Sequence, residues 1–189
     1  MNTVMQLMNS SRTLVAIISL LTATACAGSE ESEPRIYLLP EGYVGAFYIV
    51  FNIPSGESQT YEDGARVYDI PEDGVLLMQS DSGAGRIHTG DIKWFYESED
   101  GTREKVEGRW TTTVRDTPES RADEQVYIFG GGINLIKPVK DCEIYAKDFH
   151  VGTKAQILDG AGHFDIYSDQ GIDNLPDEVF LEACNEGEN

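Results

Sequence analysis

Residues 43–52, Tyr-Val-Gly-Ala-Phe-Tyr-Ile-Val-Phe-Asn, are apolar on both parities up to the closing asparagine. In an extended chain successive side chains point to opposite faces, so a strand built from these residues has no face to offer water. Such a run has to be covered on both sides, as a central strand is. Its β-branched and aromatic content favours a strand over a helical segment of the same length. Gly45 within it marks a bulge or the close approach of another backbone.

Shorter strand signals surround this run. Ile36–Leu39 precedes it across the turn Pro40-Glu-Gly42. Ala65–Ile70 alternates and enters the turn Pro71-Glu-Asp-Gly74, after which Val75–Gln79 reads as a further strand. Ile92–Tyr96 and Thr102–Trp110 flank Glu99-Asp-Gly101, a hairpin signal, and Val126–Phe129 and Glu143–Phe149 follow as later strands. Gly130-Gly-Gly132 lacks the lysine and serine of a phosphate-binding loop and reads as a bend or bulge. Helix signals are few. Thr117-Pro-Glu-Ser120 offers an N-cap and a proline at the first helical position, enough for one or two turns. Asn174–Cys184, with Pro176 and acids in its first turn, places Phe180, Ala183 and Cys184 on one face. The pattern predicts a mostly β fold, a β-sandwich-like domain with a short C-terminal helix. With no internal repeat and no Pro- or Ser-rich linker, residues 35–189 form a single β-rich domain.

The first 25 residues stand outside that domain. Arg12 is the sole charge before Glu30, and it precedes the apolar run Leu14–Leu21 and the small residues Thr22–Ala25. A charged start, a short apolar stretch and small residues at the cut make a secretory signal peptide. The apolar run falls short of the ~20 residues that span a bilayer. Ala23-Thr-Ala-Cys26 resembles a bacterial lipobox, with Ala23 where leucine is usual. The resemblance implies cleavage before Cys26 and a diacylglyceryl cysteine there, with palmitate among its acyl chains; ordinary cleavage near Ala25 is the alternative. Several acyl chains on one residue anchor stably, where a single chain binds only marginally. Residues 26–34, small and acidic, then serve as a flexible tether. The expected partner is the membrane, through lipid on Cys26, and the expected location is the cell envelope. In a host with two membranes, Ala27 in place of an aspartate resembles the outer-membrane sorting pattern, which implies the periplasmic face of the outer membrane or the cell surface.

Charge narrows the partners further. The chain carries 33 acidic and 14 basic residues, a formal charge of −19. A surface of that sign repels nucleic acid and anionic headgroups and keeps the domain soluble. There are three cysteines and no Cys-x-x-Cys. With Cys26 assigned to lipid, Cys142 and Cys184 form a disulfide in an oxidising compartment, worth ~4 kcal/mol by loop entropy. Two buried free thiols are the alternative reading.

No catalytic constellation stands out. Ser80-Asp-Ser-Gly-Ala-Gly85 resembles part of the nucleophile motif of trypsin-like proteases, but the mature chain has no histidine before His88, so a mobile loop is the better reading. His88, His150 and His163 lack partners at metal-ligand spacing, apart from His163-Phe-Asp165. The acidic stretch that holds Asp165, Asp169 and Asp173 has the oxygen chemistry calcium requires, at a spacing that fits no EF-hand. Trp94, Tyr96 and Trp110 suit either a binding surface or the core. The leading expectation is a non-enzymatic binding or structural module that engages an envelope protein or component, with no cofactor. A calcium-stabilised binding domain held by Asp165, Asp169 and Asp173 is a second reading, and a hydrolase assembled from distant carboxylates with His150 or His163 a third.

Four segments carry a family resemblance: Leu39-Pro-Glu-Gly-Tyr-Val-Gly45, Asp63-Gly64 ahead of Tyr68, Ile70-Pro-Glu-Asp-Gly74 and Phe149-His-Val-Gly-Thr153. Together they resemble an uncharacterised family of small bacterial lipoproteins, a domain of unknown function. The resemblance implies a conserved architecture and supplies no active site. The strand–turn–strand order is also similar to the small β-sandwich modules of transthyretin and carboxypeptidase-regulatory type, an analogy of fold alone.

Overall fold

A computed structural model of the chain describes residues 32–83, 89–109, 113–139 and 142–168. Ten strands form two mixed sheets of five. The first has the order β3 (Thr60–Glu62), β4 (Ala65–Asp69), β1 (Arg35–Pro40), β6 (Ile92–Glu97), β7 (Arg103–Lys105). The second runs β5 (Val75–Leu77), β2 (Gly45–Val50), β10 (Cys142–Gly152), β9 (Tyr127–Val139), β8 (Glu107–Arg109). All four edge strands are three residues long. The described helices are short: α1 (Pro118–Arg121), and α2 (Lys154–Leu158) near the C-terminal end of the described chain.

The fold is the mostly β sandwich that the alternation implies. β2 is buried at every position and sits between β5 and β10. Phe47, Ile49 and Phe51 point into the space between the sheets, where they meet Tyr37, Leu39, Tyr68 and Trp94 of the first sheet. Ala46, Tyr48 and Val50 point outward and are covered by Phe164, Ile166 and Tyr167. The Tyr48 hydroxyl donates to the Phe164 carbonyl at 2.6 Å, which fastens this covering segment. An aromatic stack fills the inter-sheet layer: Tyr37 lies 4.0 Å from Trp94 and 5.0 Å from Tyr68, and Phe47 lies 4.7 Å from Phe149.

The turns after Pro40 and Ile70 do not close hairpins. β1 and β4 belong to the first sheet and β2 and β5 to the second, so each turn carries the chain from one layer to the other. The expected strand Thr102–Trp110 likewise divides: β7 pairs with β6, Val106 buries itself in the core, and β8 pairs with β9 of the opposite sheet. Sequence periodicity does not register such a switch, because both halves alternate normally. β3 and α2 were not anticipated. β3 pairs with β4 across Asp63-Gly64, both at positive φ, the geometry of a two-residue hairpin turn. A capping box at Thr153 and Gln156 starts α2. The expected Thr117 cap of α1 is present, with Pro118 opening the helix. β9 continues through Gly130-Gly-Gly132 with a register shift between Asp148 and Phe149, the bulge the glycines suggest. The helix signal at 174–184 lies outside the described residues.

One edge-to-edge contact tightens the first sheet. Arg103 of β7 bonds Glu97 at 2.8 Å and reaches Glu62 of β3, at the sheet's other edge, at 2.8 Å. The apolar residues Ile36 and Leu38 lie buried on that sheet's outer face, against Val67 and Phe95.

Gly45 makes the close approach its place in an apolar strand suggests. The Ala46 amide donates to the Gly162 carbonyl at 3.0 Å, and a Cβ on Gly45 would stand 2.7 Å from that oxygen. Its φ of +139° adds strain for any other residue. We expect Gly45→Ala to cost about 3 kcal/mol in urea unfolding, as strain and overpacking combine. Gly64→Ala, at positive φ but facing open space, should cost only about 1 kcal/mol; equal losses would show that the Gly162 contact is unimportant.

Candidate functional site

Three constellations of polar and aromatic side chains emerge from this architecture. The first is a cleft of about 840 Å³ where β6 and the β7–β8 break face β9. Trp94, Ile128 and Phe149 form its apolar floor. The Trp94 ring is held by its stack on Tyr37 and by the edge of Phe149, 5.1 Å away. Gly108 of β8 lies against the indole, and a Cβ there would come within 2.5 Å of Nε1. Lys93, Lys105 and Arg109 bring three exposed cations to the lining, against the single carboxylate of Glu107. The Arg109 guanidinium sits 4.8 Å over the Tyr127 ring, which orients it beside the opening. In a chain of formal charge −19, this is a local excess of positive charge over an aromatic floor. Its chemistry suits a ligand with an apolar face and an anionic edge.

The second constellation lies inside the sandwich next to the cleft, since Arg35 is the register partner of Ile92 in the cleft lining. Arg35 shares the inward parity of Tyr37 and Leu39 on β1, Arg66 that of Tyr68 on β4, and Lys147 that of Phe149 on β10. Arg35 and Arg66 are register partners across β1 and β4. Only 6% of Arg35 and 8% of Lys147 is exposed. The segment 81–83 crosses this cluster as a strap. The Ser82 carbonyl accepts from Arg35 Nη2 at 3.3 Å and from Lys147 Nζ at 3.2 Å, and the Asp81 carbonyl accepts from Arg66. Ser32 Oγ accepts a second bond from Arg35 at 2.8 Å, and Glu33 pairs with Arg66. Lys147 also lies 5.5 Å over the Phe51 ring. Burial, reinforced by the charges of Arg35 and Arg66, pulls the Lys147 ammonium down to about 7.

The third is a small pocket of about 160 Å³ that brings together His150, His163, Asp148 and Tyr48. The two imidazoles stack with centroids 5.9 Å apart. His150 Nε2 bonds the Ala161 carbonyl at 3.0 Å, and burial holds this ring below its ordinary value. The Tyr48 hydroxyl is already committed to Phe164. The Tyr48 and His150 bonds pin residues 161–164 to the sheet, and the two histidines anticipated as catalytic candidates come together in this pocket.

The other anticipated residues fare differently. Asp165 is exposed and its carboxylate accepts from the Tyr167 amide, closing a turn. Asp169 and Asp173, the other candidate calcium ligands, lie outside the described residues, as do Cys26, Cys184, His88 and Trp110. The Cys142 backbone opens β10 opposite Val139. Among the described residues no group of three or more His, Cys, Asp or Glu side chains is arranged to hold a metal, and no helix is long and apolar enough to cross a membrane. Trp94 belongs to core and cleft alike. The sequence reading missed Arg35, Arg66 and Lys147, although each is a cation at the buried parity of a strand, a signal that can be read without coordinates.

Fold and sites together define a mixed two-sheet β-sandwich with one cationic-rimmed cleft and one buried cationic cluster. The chain belongs to the family of unknown function DUF6843, whose model matches residues 31–156. That span holds every residue of the cleft and of the cluster. The fold is similar to the crystal structure of a protein described as a putative lipoprotein from Bacillus anthracis. The two are 17% identical with a TM-score of 0.50, over 76% of this chain and 89% of the other. No curated protein matches the sequence.

Lys147 supplies a test of the buried cluster by pH. In the unfolded chain its amine keeps its ordinary value of 10.5, whereas the folded value is about 7. Above pH 7 the unfolded state therefore holds a proton that the folded state has released, and stability rises with pH across that window. Wild type should gain stability relative to Lys147→Met between pH 7 and pH 9.5 in urea unfolding; parallel profiles would mean that Lys147 is not buried as described.

Proposed function

We propose that this protein is a lipid-anchored envelope module that binds, without chemical conversion, an apolar and anion-bearing envelope component in the Trp94 cleft. The cleft carries the reading: its aromatic floor is fixed by stacking on Tyr37, and three of the four charged residues among its described lining are cationic. Residues 1–25 act as the signal peptide, Cys26 carries the lipid, 26–34 form the tether and 35–189 the binding domain. Supporting the anchor are Arg12, the apolar run to Leu21 and the small residues before Cys26, together with the lipoprotein description of the Bacillus anthracis neighbour. A Cys142–Cys184 bridge belongs to the same reading, since export delivers both thiols to an oxidising compartment.

Peptide mass spectrometry of membrane-fraction protein, with and without reduction, should find a lipid-modified Cys26 and a reducible Cys142–Cys184 link. Cys26→Ala should move the protein to the soluble fraction; an unmodified N-terminus on soluble wild-type protein refutes the anchor. A photo-crosslinking residue in place of Lys105 should capture a ligand in cells, and one in place of Tyr61, on the opposite sheet edge, should not. Arg109→Glu should reduce the Lys105 adduct several-fold, and capture that ignores this charge reversal argues against the cleft.

A further inference from the structure

The cluster of Arg35, Arg66 and Lys147 shares no residue with the cleft and calls for its own account. Two carboxylates approach it, Glu33 and Asp81, and both sit on Arg66. Among the described residues, Arg35 and Lys147 bond the neutral oxygens of Ser32 and Ser82, and Arg35 also neighbours the Tyr37 hydroxyl. The Arg35 Nε–H has no acceptor among the described residues, and the wholly buried Tyr68 hydroxyl lies beside Arg66 without a well-formed hydrogen bond. Buried donors without partners are rare in folded proteins because each forfeits its hydration. Counted formally among the described residues, three cations meet two carboxylates, which leaves one positive charge when Lys147 is protonated.

We infer that this cluster is a binding site for one singly charged oxyanion, a carboxylate or a phosphodiester group, held by the Arg35 guanidinium, Lys147 Nζ and the Tyr68 hydroxyl. The Ser82 carbonyl occupies the corresponding place in the free protein. It bonds Arg35 and Lys147 at 3.3 Å and 3.2 Å, longer than the ~2.9 Å of a good N–H···O bond and than the bonds such cations form to an anionic oxygen. An oxyanion that displaced it would exchange two weak contacts for charged ones. Gly83 permits the strap's close seat, since a Cβ there would lie 3.3 Å from Arg35 Nη2 and its φ of +71° suits glycine. A single negative charge cancels the residual positive one, whereas a dianion would reverse its sign. Binding would also draw a proton onto Lys147, so anion affinity and Lys147 protonation rise together.

Thermal unfolding of the purified protein at pH 7 in sodium acetate, in dimethyl phosphate and in sodium chloride of equal ionic strength tests the site. At saturating oxyanion the Tm should exceed the chloride value by about 3 °C or more. The shift should vanish in Lys147→Met, which removes a buried charge and so retains the fold. It should also shrink at pH 9.5, where Lys147 is neutral. A larger effect of acetate assigns the site to carboxylates such as those of acidic peptides, and a larger effect of dimethyl phosphate assigns it to lipid headgroups. Independently of any variant, NMR titration of the Lys147 Cε signal should move upward in pH when the oxyanion is added. Equal shifts in chloride, shifts preserved in Lys147→Met, or an unmoved Lys147 titration each overturn the inference.

Discussion

The fold depends on the double burial of β2. A strand with Phe47, Ile49 and Phe51 on one face and Ala46, Tyr48 and Val50 on the other cannot lie at a surface. Each fully buried large side chain contributes about 1.5–3 kcal/mol, so leaving either face open would forfeit a large part of a domain's net stability. The first sheet meets one face, and the segment holding Phe164, Ile166 and Tyr167 meets the other. That segment has little regular structure of its own. It is held by the Tyr48 and His150 hydrogen bonds and by the Gly45–Gly162 contact, all of them made to β2 or to its neighbour β10.

Much of this was legible in the chain. The both-parity run predicted a doubly covered strand, the Pro40–Gly42 and Ile70–Gly74 segments predicted turns, and Thr117-Pro118 predicted the cap of α1. What could not be read was the sheet to which each strand belongs. Period-two alternation tells which side chains are buried and carries no information about which layer they are buried in. The change of sheet at Val106 is invisible for that reason, since Val106 is buried on either assignment. β3 escaped notice because Thr60-Tyr-Glu62 is short and exposed, held in place by the Asp63-Gly64 turn and not by any apolar pattern.

The sites divide along the same line. The cleft exists because two strands part between sheets, a tertiary event with no local signature. The cationic cluster did leave one, in the charged residues at inward parity on β1, β4 and β10. Single-strand patterns treat such residues as surface, and only the register of Arg35 against Arg66 and the strap over Lys147 show them converging. The histidine pair is a tertiary event too: His150 and His163 lie apart in the chain and stack only because the segment 161–164 folds back on the sheet.

The brevity of the outermost strands bears on how many copies can share a surface. Sheets end in unpaired amides and carbonyls that can template pairing with another molecule, and the hazard grows with the length of the free edge. Among the described residues β3, β7 and β8 each offer three residues, the edge of β5 is partly capped by Glu57, and Arg103 clasps the β3 and β7 edges to each other. Molecules tethered to a bilayer diffuse in two dimensions and meet far more often than at the same abundance in solution. For copies held at a bilayer by the proposed lipid, edges this short leave little backbone for strand pairing between neighbours.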